Sequence, residues 1–207
     1  MKGVQVIDHP LVQARLTRLR DEHTPHPEFR RLLGEIAGSL VYEATRNLEL
    51  KPFRLRTPLV AVTGVALQRE VLLVPVLRAG LGMLDGALAL LPNARVGCIG
   101  LRRDEKTLEA EGYLESLPPR LNRCDVLGLD PMLATGGSAI AAAKLLRERG
   151  ARELAFVHVL AAPEGVKALR RAVPGVRIVT AALDDGLDSR GYILPGLGDA
   201  GDRCFGC

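Results

Sequence analysis

The stretch Asp130-Pro131-Met132-Leu133-Ala134-Thr135-Gly136-Gly137-Ser138 combines residue types that suit a phosphate ester. An apolar run, Val126 to Leu129, leads into an acidic residue, a short loop with Thr and two glycines, and a helical pattern from Ser138 onward. Glycines let the main chain approach a ligand, and the N–H groups of a loop and first helical turn converge where the helix dipole also favours an anion. Ser138 is equally suited to be the N-cap of that helix, which gives its hydroxyl a purely structural use. Arg78 is placed comparably, after the apolar run Val71 to Leu77 and before Ala79-Gly80. In open α/β sheets ligands sit at strand C-terminal ends, where a guanidinium can bind a phosphate or carboxylate through planar, bidentate hydrogen bonds, although Arg78 could also be an ordinary ion-pairing side chain. Gly80-x-Gly82 is not a dinucleotide fingerprint, because the next glycine, Gly86, is misplaced for it.

The elements that position these residues can be read from periodicity. Pro10 to about Arg20 reads as a short helix. From Phe29 through Leu32, Leu33, Ile36, Ala37, Leu40, Val41 and Ala44 the apolar spacing is that of a longer one, so residues 1–50 read as helical. Residues 52–67, broken by Pro58 and Gly64, read as a β-arm leaving the main body. From residue 70 apolar strands and helical patterns alternate, which predicts βαβ units and a parallel sheet buried on both faces. The strands fall at 71–76, 96–101, 126–130, 154–160 and 176–180, and the helices at 80–91, 138–149 and 164–173. Residues 102–123 form a polar interruption too long for an ordinary connection, hence a flap or protruding hairpin. Residues 181–207 carry six glycines and little periodicity.

Composition narrows the function class. A length of 207 residues, 47% of them hydrophobic, fits one globular domain. A formal charge of +4, spread without any block of like charges, and only seven aromatics are a poor basis for binding nucleic acid. No apolar run approaches the roughly 20 residues of a membrane helix, and the first eleven residues lack a signal-type apolar run, so the expected setting is cytoplasmic and membrane-free. Cys204-x-x-Cys207 has no second ligand pair to complete a zinc site, since Cys98 and Cys124 stand alone in apolar runs and read as core residues. His9, His23, His26 and His158 form no catalytic constellation, and Asp202 and Arg203 read as a mutual ion pair.

The string Asp130 to Ser138 resembles the phosphoribosyl diphosphate-binding motif of the type I phosphoribosyltransferases, and its wording is similar to the uracil phosphoribosyltransferase branch. Pro75-Val-Leu-Arg78-Ala79-Gly80-Leu-Gly82-Met resembles that family's pyrophosphate loop. Gly100-Leu-Arg-Arg103-Asp104 resembles its flap entrance, and Gly191-Tyr-Ile193-Leu-Pro-Gly-Leu-Gly198-Asp199-Ala200-Gly201-Asp202-Arg203 its uracil-binding hood, so that 181–207 becomes the hood. Leu129 stands where many phosphoribosyltransferases carry a second acid, which separates this chain from purine enzymes. Arg102 and Tyr113-Leu114-Glu115-Ser116 depart from the usual flap wording.

The resemblance implies one type I phosphoribosyltransferase domain, a parallel sheet flanked by helices with an N-terminal helical segment, a β-hairpin arm and a C-terminal hood. It implies joining uracil to phosphoribosyl diphosphate with release of diphosphate, giving uridine monophosphate, in pyrimidine salvage. It places Asp130 on the ribose hydroxyls, Ala134 to Ser138 around the 5′-phosphate, Pro131, Met132 and Leu133 also on phosphoribosyl diphosphate, and Arg78 and Arg103 on the departing diphosphate, with Asp199 beside them. Uracil offers a donor at N3 between two carbonyl acceptors, which main-chain groups of Ile193, Gly198 and Ala200 would read. Asp199 would organise phosphoribosyl diphosphate or receive the N1 proton, unless it only caps a turn. Magnesium would ride on the diphosphate oxygens. GTP activates some members. A homodimer or homotetramer is expected, with the arm as a subunit contact, since a hairpin leaving a small domain would otherwise expose Leu59, Val60 and Val62. The competing reading is a regulator of the same fold that binds RNA or nucleotides with little or no catalysis.

Overall fold

Strands made of continuous apolar residues need cover on both faces, and this chain supplies it with helices on either side of one sheet. The structure, a computed structural model, describes residues 3–103 and 110–207, with side chains described at all of these except residues 102, 103, 110 and 111. In chain order the elements begin with β1 (Val4–Val6), α1 (Pro10–Arg20), α2 (His26–Ala44), β2 (Leu50–Arg56), β3 (Ala61–Leu67), β4 (Glu70–Leu77) and α3 (Leu81–Leu90). They continue with β5 (Arg95–Val96), β6 (Cys98–Arg103), β7 (Ala110–Ser116), β8 (Cys124–Leu129), β9 (Met132–Leu133) and α4 (Gly137–Glu148). The last are β10 (Glu153–Ala161), α5 (Pro163–Ala172), β11 (Arg177–Leu183), β12 (Gly186–Leu187), β13 (Ile193–Leu194) and α6 (Ala200–Phe205).

The main sheet runs β1-β11-β10-β8-β4-β6-β7, with β5 on β4 and β9 on β10. Its pairings are parallel except β6 with β7, which is antiparallel, so the expected parallel sheet carries one reversed edge strand. Alternation along the strands divides the core in two. Val71 and Leu73 of β4 join Ala155, Val157 and Val159 of β10 beneath α1, α2 and α3. Leu72, Val74 and Val76 join Leu154 and Phe156 beneath α4 and α5.

Residues 1–50 are not purely helical, because β1 adds a parallel edge to β11. Its three residues are too few to show a period. The reading of 96–101 as one strand is corrected to two short ones, β5 and β6, interrupted at Gly97. The tail, featureless by periodicity, folds into β12, β13 and α6. The arm is antiparallel β2–β3, paired from Leu50↔Leu67 to Arg56↔Ala61. Within 102–123, β7 returns antiparallel along β6, and Glu115 forms a bidentate ion pair with Arg149, at 2.5 and 2.8 Å, tying the hairpin to the end of α4. Residues 104–109 of that segment lie outside the described residues. Cys124 is buried as expected, whereas Cys98 is only half-buried.

Candidate active site

The strand order places three of the expected residues side by side. Adjacent parallel strands β8, β4 and β6 end at Leu129, Leu77 and Arg103, so Asp130, Arg78 and Arg103 share one C-terminal sheet edge. The main chain of Arg103 ends β6, and its side chain lies outside the described ones. Arg78, joined to Leu77 by a cis peptide, keeps an exposed guanidinium. Its Nη1 is 3.5 Å from the Cys207 Sγ and its Nη2 3.9 Å from an Asp202 carboxylate oxygen, contacts loose enough to yield to a ligand.

Asp130 is 8% exposed, and one of its carboxylate oxygens accepts a long hydrogen bond of 3.5 Å from the Met132 N–H. Burial pushes its carboxyl up to about 7, against the lowering effect of that N–H. Beneath it, the fully buried His158 on β10 places Nδ1 at 2.7 Å from the Asp130 carbonyl oxygen. A carbonyl only accepts, so Nδ1 carries the proton and Nε2 is a bare acceptor, which has no hydrogen-bond partner among the described residues. Burial holds His158 down at about 4, opposed by that carbonyl contact, so the ring is neutral near pH 7. Sequence reading left His158 without a role. The available signal was a single imidazole within the otherwise apolar run Leu154 to Ala161 of a central strand.

The loop after Asp130 departs from expectation at its helix. Gly136, not Ser138, is the N-cap of α4, with φ at +91°, and no side chain caps the helix. Ser138 is exposed and not spent on capping, as is Thr135, whose Oγ1 only accepts a 3.5 Å contact from the Gly137 N–H. Leu133 is fully buried, and Pro131 gives its carbonyl to Val159 and Leu160 of β10, so these two residues brace the loop. A Cβ on Gly136 would meet the Gly165 carbonyl oxygen at 3.2 Å, whereas one on Gly137 would find only Thr135 Oγ1 at 3.8 Å. Gly136 therefore serves the loop's conformation, and Gly137 is the glycine with open space before it.

That space is a cleft of about 400 Å³ lined by Met132, Ala134 to Ala139 and, from the tail, Arg190 to Ile193 and Gly198 to Ala200. The loop after Asp130 and the C-terminal tail thus face each other. Ile193, Gly198, Asp199 and Ala200 are brought to the loop, while Asp130, Pro131, Leu133 and Arg78 are not among the cleft-lining residues. Asp199 does cap a turn: its side chain accepts from the Asp202 N–H at 2.9 Å as the N-cap of α6, and it also lines the cleft. Asp202 and Arg203 do not pair with each other. Arg203 instead donates to the carbonyls of Leu19, Arg20, Asp21 and Leu197 and stacks over Phe29 at 4.6 Å. A larger groove of about 1160 Å³ between α1, α2, α3 and α6 contains neither the phosphate loop nor Asp130.

Comparison with known proteins shows the family and the fold. Residues 6–207 match the family model for uracil phosphoribosyltransferase. The chain is 50% identical to the uracil phosphoribosyltransferase of Dictyoglomus thermophilum, covering 98% of this chain and 99% of that one. It is 53% identical to the uracil phosphoribosyltransferase of Kineococcus radiotolerans, covering 98% of each. Among solved structures, the AQ2163 protein of Aquifex aeolicus superimposes with a TM-score of 0.93 at 38% identity over 98% of this chain and 97% of that one. A hypoxanthine-guanine phosphoribosyltransferase of Bacillus anthracis, at 14% identity and a TM-score of 0.54 over 77% of this chain and 80% of that one, shares the fold. With the family model spanning all but the first five residues, this chain belongs to the uracil phosphoribosyltransferase family.

Proposed function

We propose that the protein transfers the phosphoribosyl group of phosphoribosyl diphosphate to N1 of uracil, giving uridine monophosphate and diphosphate, as a pyrimidine-salvage glycosyltransferase. The observation that carries this reading is the shared cleft, in which a phosphate-binding loop on α4 faces a glycine-rich hood. In it the 5′-phosphate takes the N–H groups of Thr135 to Ser138 with the hydroxyls of Thr135 and Ser138, and the α4 dipole adds to the attraction. Asp130 accepts the ribose hydroxyls. Arg78 and Arg103 take the diphosphate, whose charge grows as the glycosidic bond breaks, so their stabilisation is greatest in the transition state. Main-chain groups of Ile193, Gly198 and Ala200 read the uracil edge. Asp199, with one carboxylate oxygen capping α6, has its other oxygen for the N1 proton or for the diphosphate complex.

The uncommitted carboxylate oxygen of Asp199 in the cleft is a hard donor of the kind magnesium accepts, and an ion held chiefly by diphosphate oxygens would need few more from the protein. Magnesium so bound supplies neutralisation of the leaving group's charge. We further read the arm as a contact between copies in a homodimer or homotetramer, GTP as an activator of the kind that acts on some family members, and the setting as cytoplasmic. No helix of the described residues is long and apolar enough to cross a membrane.

The test is diphosphate release from phosphoribosyl diphosphate with uracil, cytosine, hypoxanthine and guanine offered separately, with and without magnesium and GTP. Release with uracil alone is expected. Release with a purine, or binding of phosphoribosyl diphosphate without turnover on any base, would replace this reading by a purine transferase or a regulator.

A further inference from the structure

The hood reads its base through main-chain groups, and those are only as selective as their positions are fixed. The segment Gly191 to Gly198 contains three glycines at positive φ, with values of +85°, +63° and +78°, and so has little intrinsic rigidity. Its first half, through Leu194, is held by β12 and by Asp188, and the glycines at 196 and 198 are held from farther off. Asp184, 7% exposed just after β11, forms a bidentate ion pair with Arg20 at the end of α1, at 2.6 and 2.8 Å. Both partners then reach Gly196: Arg20 Nη1 donates to its carbonyl at 2.6 Å, and its N–H donates to Asp184 Oδ2 at 3.0 Å. The Asp184 N–H is bonded to the Ala161 carbonyl at the end of β10, so the clasp is anchored on the sheet. One residue on, Arg203 ties the Leu197 carbonyl to that of Leu19, both at 2.9 Å. None of Arg20, Asp184, Gly196, Leu197 or Arg203 lines the cleft.

We propose that Arg20 and Asp184 are positioning residues for the base: their clasp on Gly196 fixes the hood main chain and thereby sets selectivity for uracil. The inference rests on the uracil reading above. An ion pair with Asp184 buried and Arg20 half-buried is a poor device for stability alone, since a well-packed apolar pair often does as well or better. Here the pair satisfies both main-chain polar groups of the residue two positions before Gly198, which an apolar pair would leave loose. Uracil should feel the loss, and the phosphate loop, held by β8, β10 and α5, should not.

The experiment uses the full chain carrying Arg20→Met together with Asp184→Leu, which leaves no unpaired charge, and separately Arg20→Lys, which keeps the charge but loses the planar fork. KM for uracil, KM for phosphoribosyl diphosphate, the uracil-over-cytosine ratio of kcat/KM and the thermal midpoint are measured for each. The double variant should raise the uracil KM about tenfold or more and lower the uracil-over-cytosine ratio comparably, with the KM for phosphoribosyl diphosphate within about twofold. Arg20→Lys should show a smaller shift of the same uracil-only kind. Equal rises in both KM values, or an unchanged uracil KM in a folded variant, overturn the inference. If the double variant does not fold, Arg20→Lys decides between the same two outcomes. A wild-type protein without preference for uracil overturns the function itself, whereas a selective wild type with equally selective variants overturns only the clasp.

Discussion

Asp130 and His158 are two buried titratable groups joined through one main-chain carbonyl, and their proton equilibria oppose each other. The Asp130 carboxyl titrates near 7 in the fold against an ordinary 3.8, so its contribution to stability is complete below about 3.8 and is lost as the pH rises through about 7. His158 titrates near 4 against an ordinary 6.5, so its contribution is complete above about 6.5 and is lost as the pH falls through about 4. Between about pH 4 and 6.5 each slope is about 1.4 kcal/mol per pH unit and the two cancel. Asp130→Asn should therefore unmask His158, and its stability relative to the wild type should climb with pH across that window in denaturant titrations. His158→Leu should show the reverse slope. Parallel stability curves for all three proteins would refute the opposition. If Asp130 takes the ribose hydroxyls as proposed, the ionised carboxylate, with both oxygens accepting, serves better than the acid, so KM for phosphoribosyl diphosphate should rise as the pH falls below about 7 and lose that dependence in Asp130→Asn. If Arg78 takes the diphosphate as proposed, it trades for it only loose contacts with Asp202 and Cys207. Its removal in Arg78→Ala should forfeit a charge-assisted hydrogen bond of about 1.5–3 kcal/mol, seen as a roughly 10- to 150-fold lower kcat/KM with little change in thermal midpoint. Wild-type kinetics in that variant would make the residue structural.

At the scale of elements, the phosphate loop divides its glycines between two tasks, and substitution can separate them. Gly136 sits at φ +91° with the Gly165 carbonyl 3.2 Å from where a Cβ would stand, so Gly136→Val should lower stability by about 1–3 kcal/mol whatever the ligand does. Gly137 has a permissive φ and open cleft before it, so Gly137→Val should leave the thermal midpoint nearly unchanged and raise the KM for phosphoribosyl diphosphate. Melting curves with steady-state kinetics on both variants would check this, and an unchanged KM in Gly137→Val would remove close backbone approach from the mechanism. That the loop precedes a helix and follows a buried strand was legible in the sequence, because a run such as Val126 to Leu129 has few other uses. Which residue caps the helix was not, since Ser138 satisfies every local rule for an N-cap and only the turn geometry awards that position to Gly136. The clasp was equally hidden: Arg20 and Asp184 are 164 residues apart, and neither stands in a pattern that points to the other. His158 and β1 escaped for the same reason, their meaning arising from the neighbouring strands rather than from their own.

For the whole molecule, the arm is the part that the fold does not complete. Hairpin β2–β3 pairs with itself over seven residues a side, yet every residue of β2 is exposed and most of β3 is as well. Apolar groups stand on both of its faces: Leu50, Pro52, Val65 and Leu67 on one, Phe53, Leu55 and Val62 on the other, with Leu59 and Val60 at the tip. An isolated two-stranded hairpin is marginal in water, and an exposed apolar patch of this kind marks a surface meant to be covered. Lys51, Arg54 and Arg56 interleave with it and discourage indiscriminate edge pairing, which favours one specific cover over aggregation. A second copy of the chain can supply that cover, and each large side chain so buried contributes about 1.5–3 kcal/mol. Placing a charge where Val60 and Val65 are 60% and 63% exposed should therefore cost nothing in the isolated chain and several kcal/mol in the assembly. Val60→Glu with Val65→Glu is expected to shift sedimentation from a dimer or tetramer to a monomer at micromolar concentration and to make the thermal midpoint independent of protein concentration, which the wild type's should not be. An assembly of unchanged size in that variant would assign the contact between copies to another surface and leave the arm's apolar faces to a different partner.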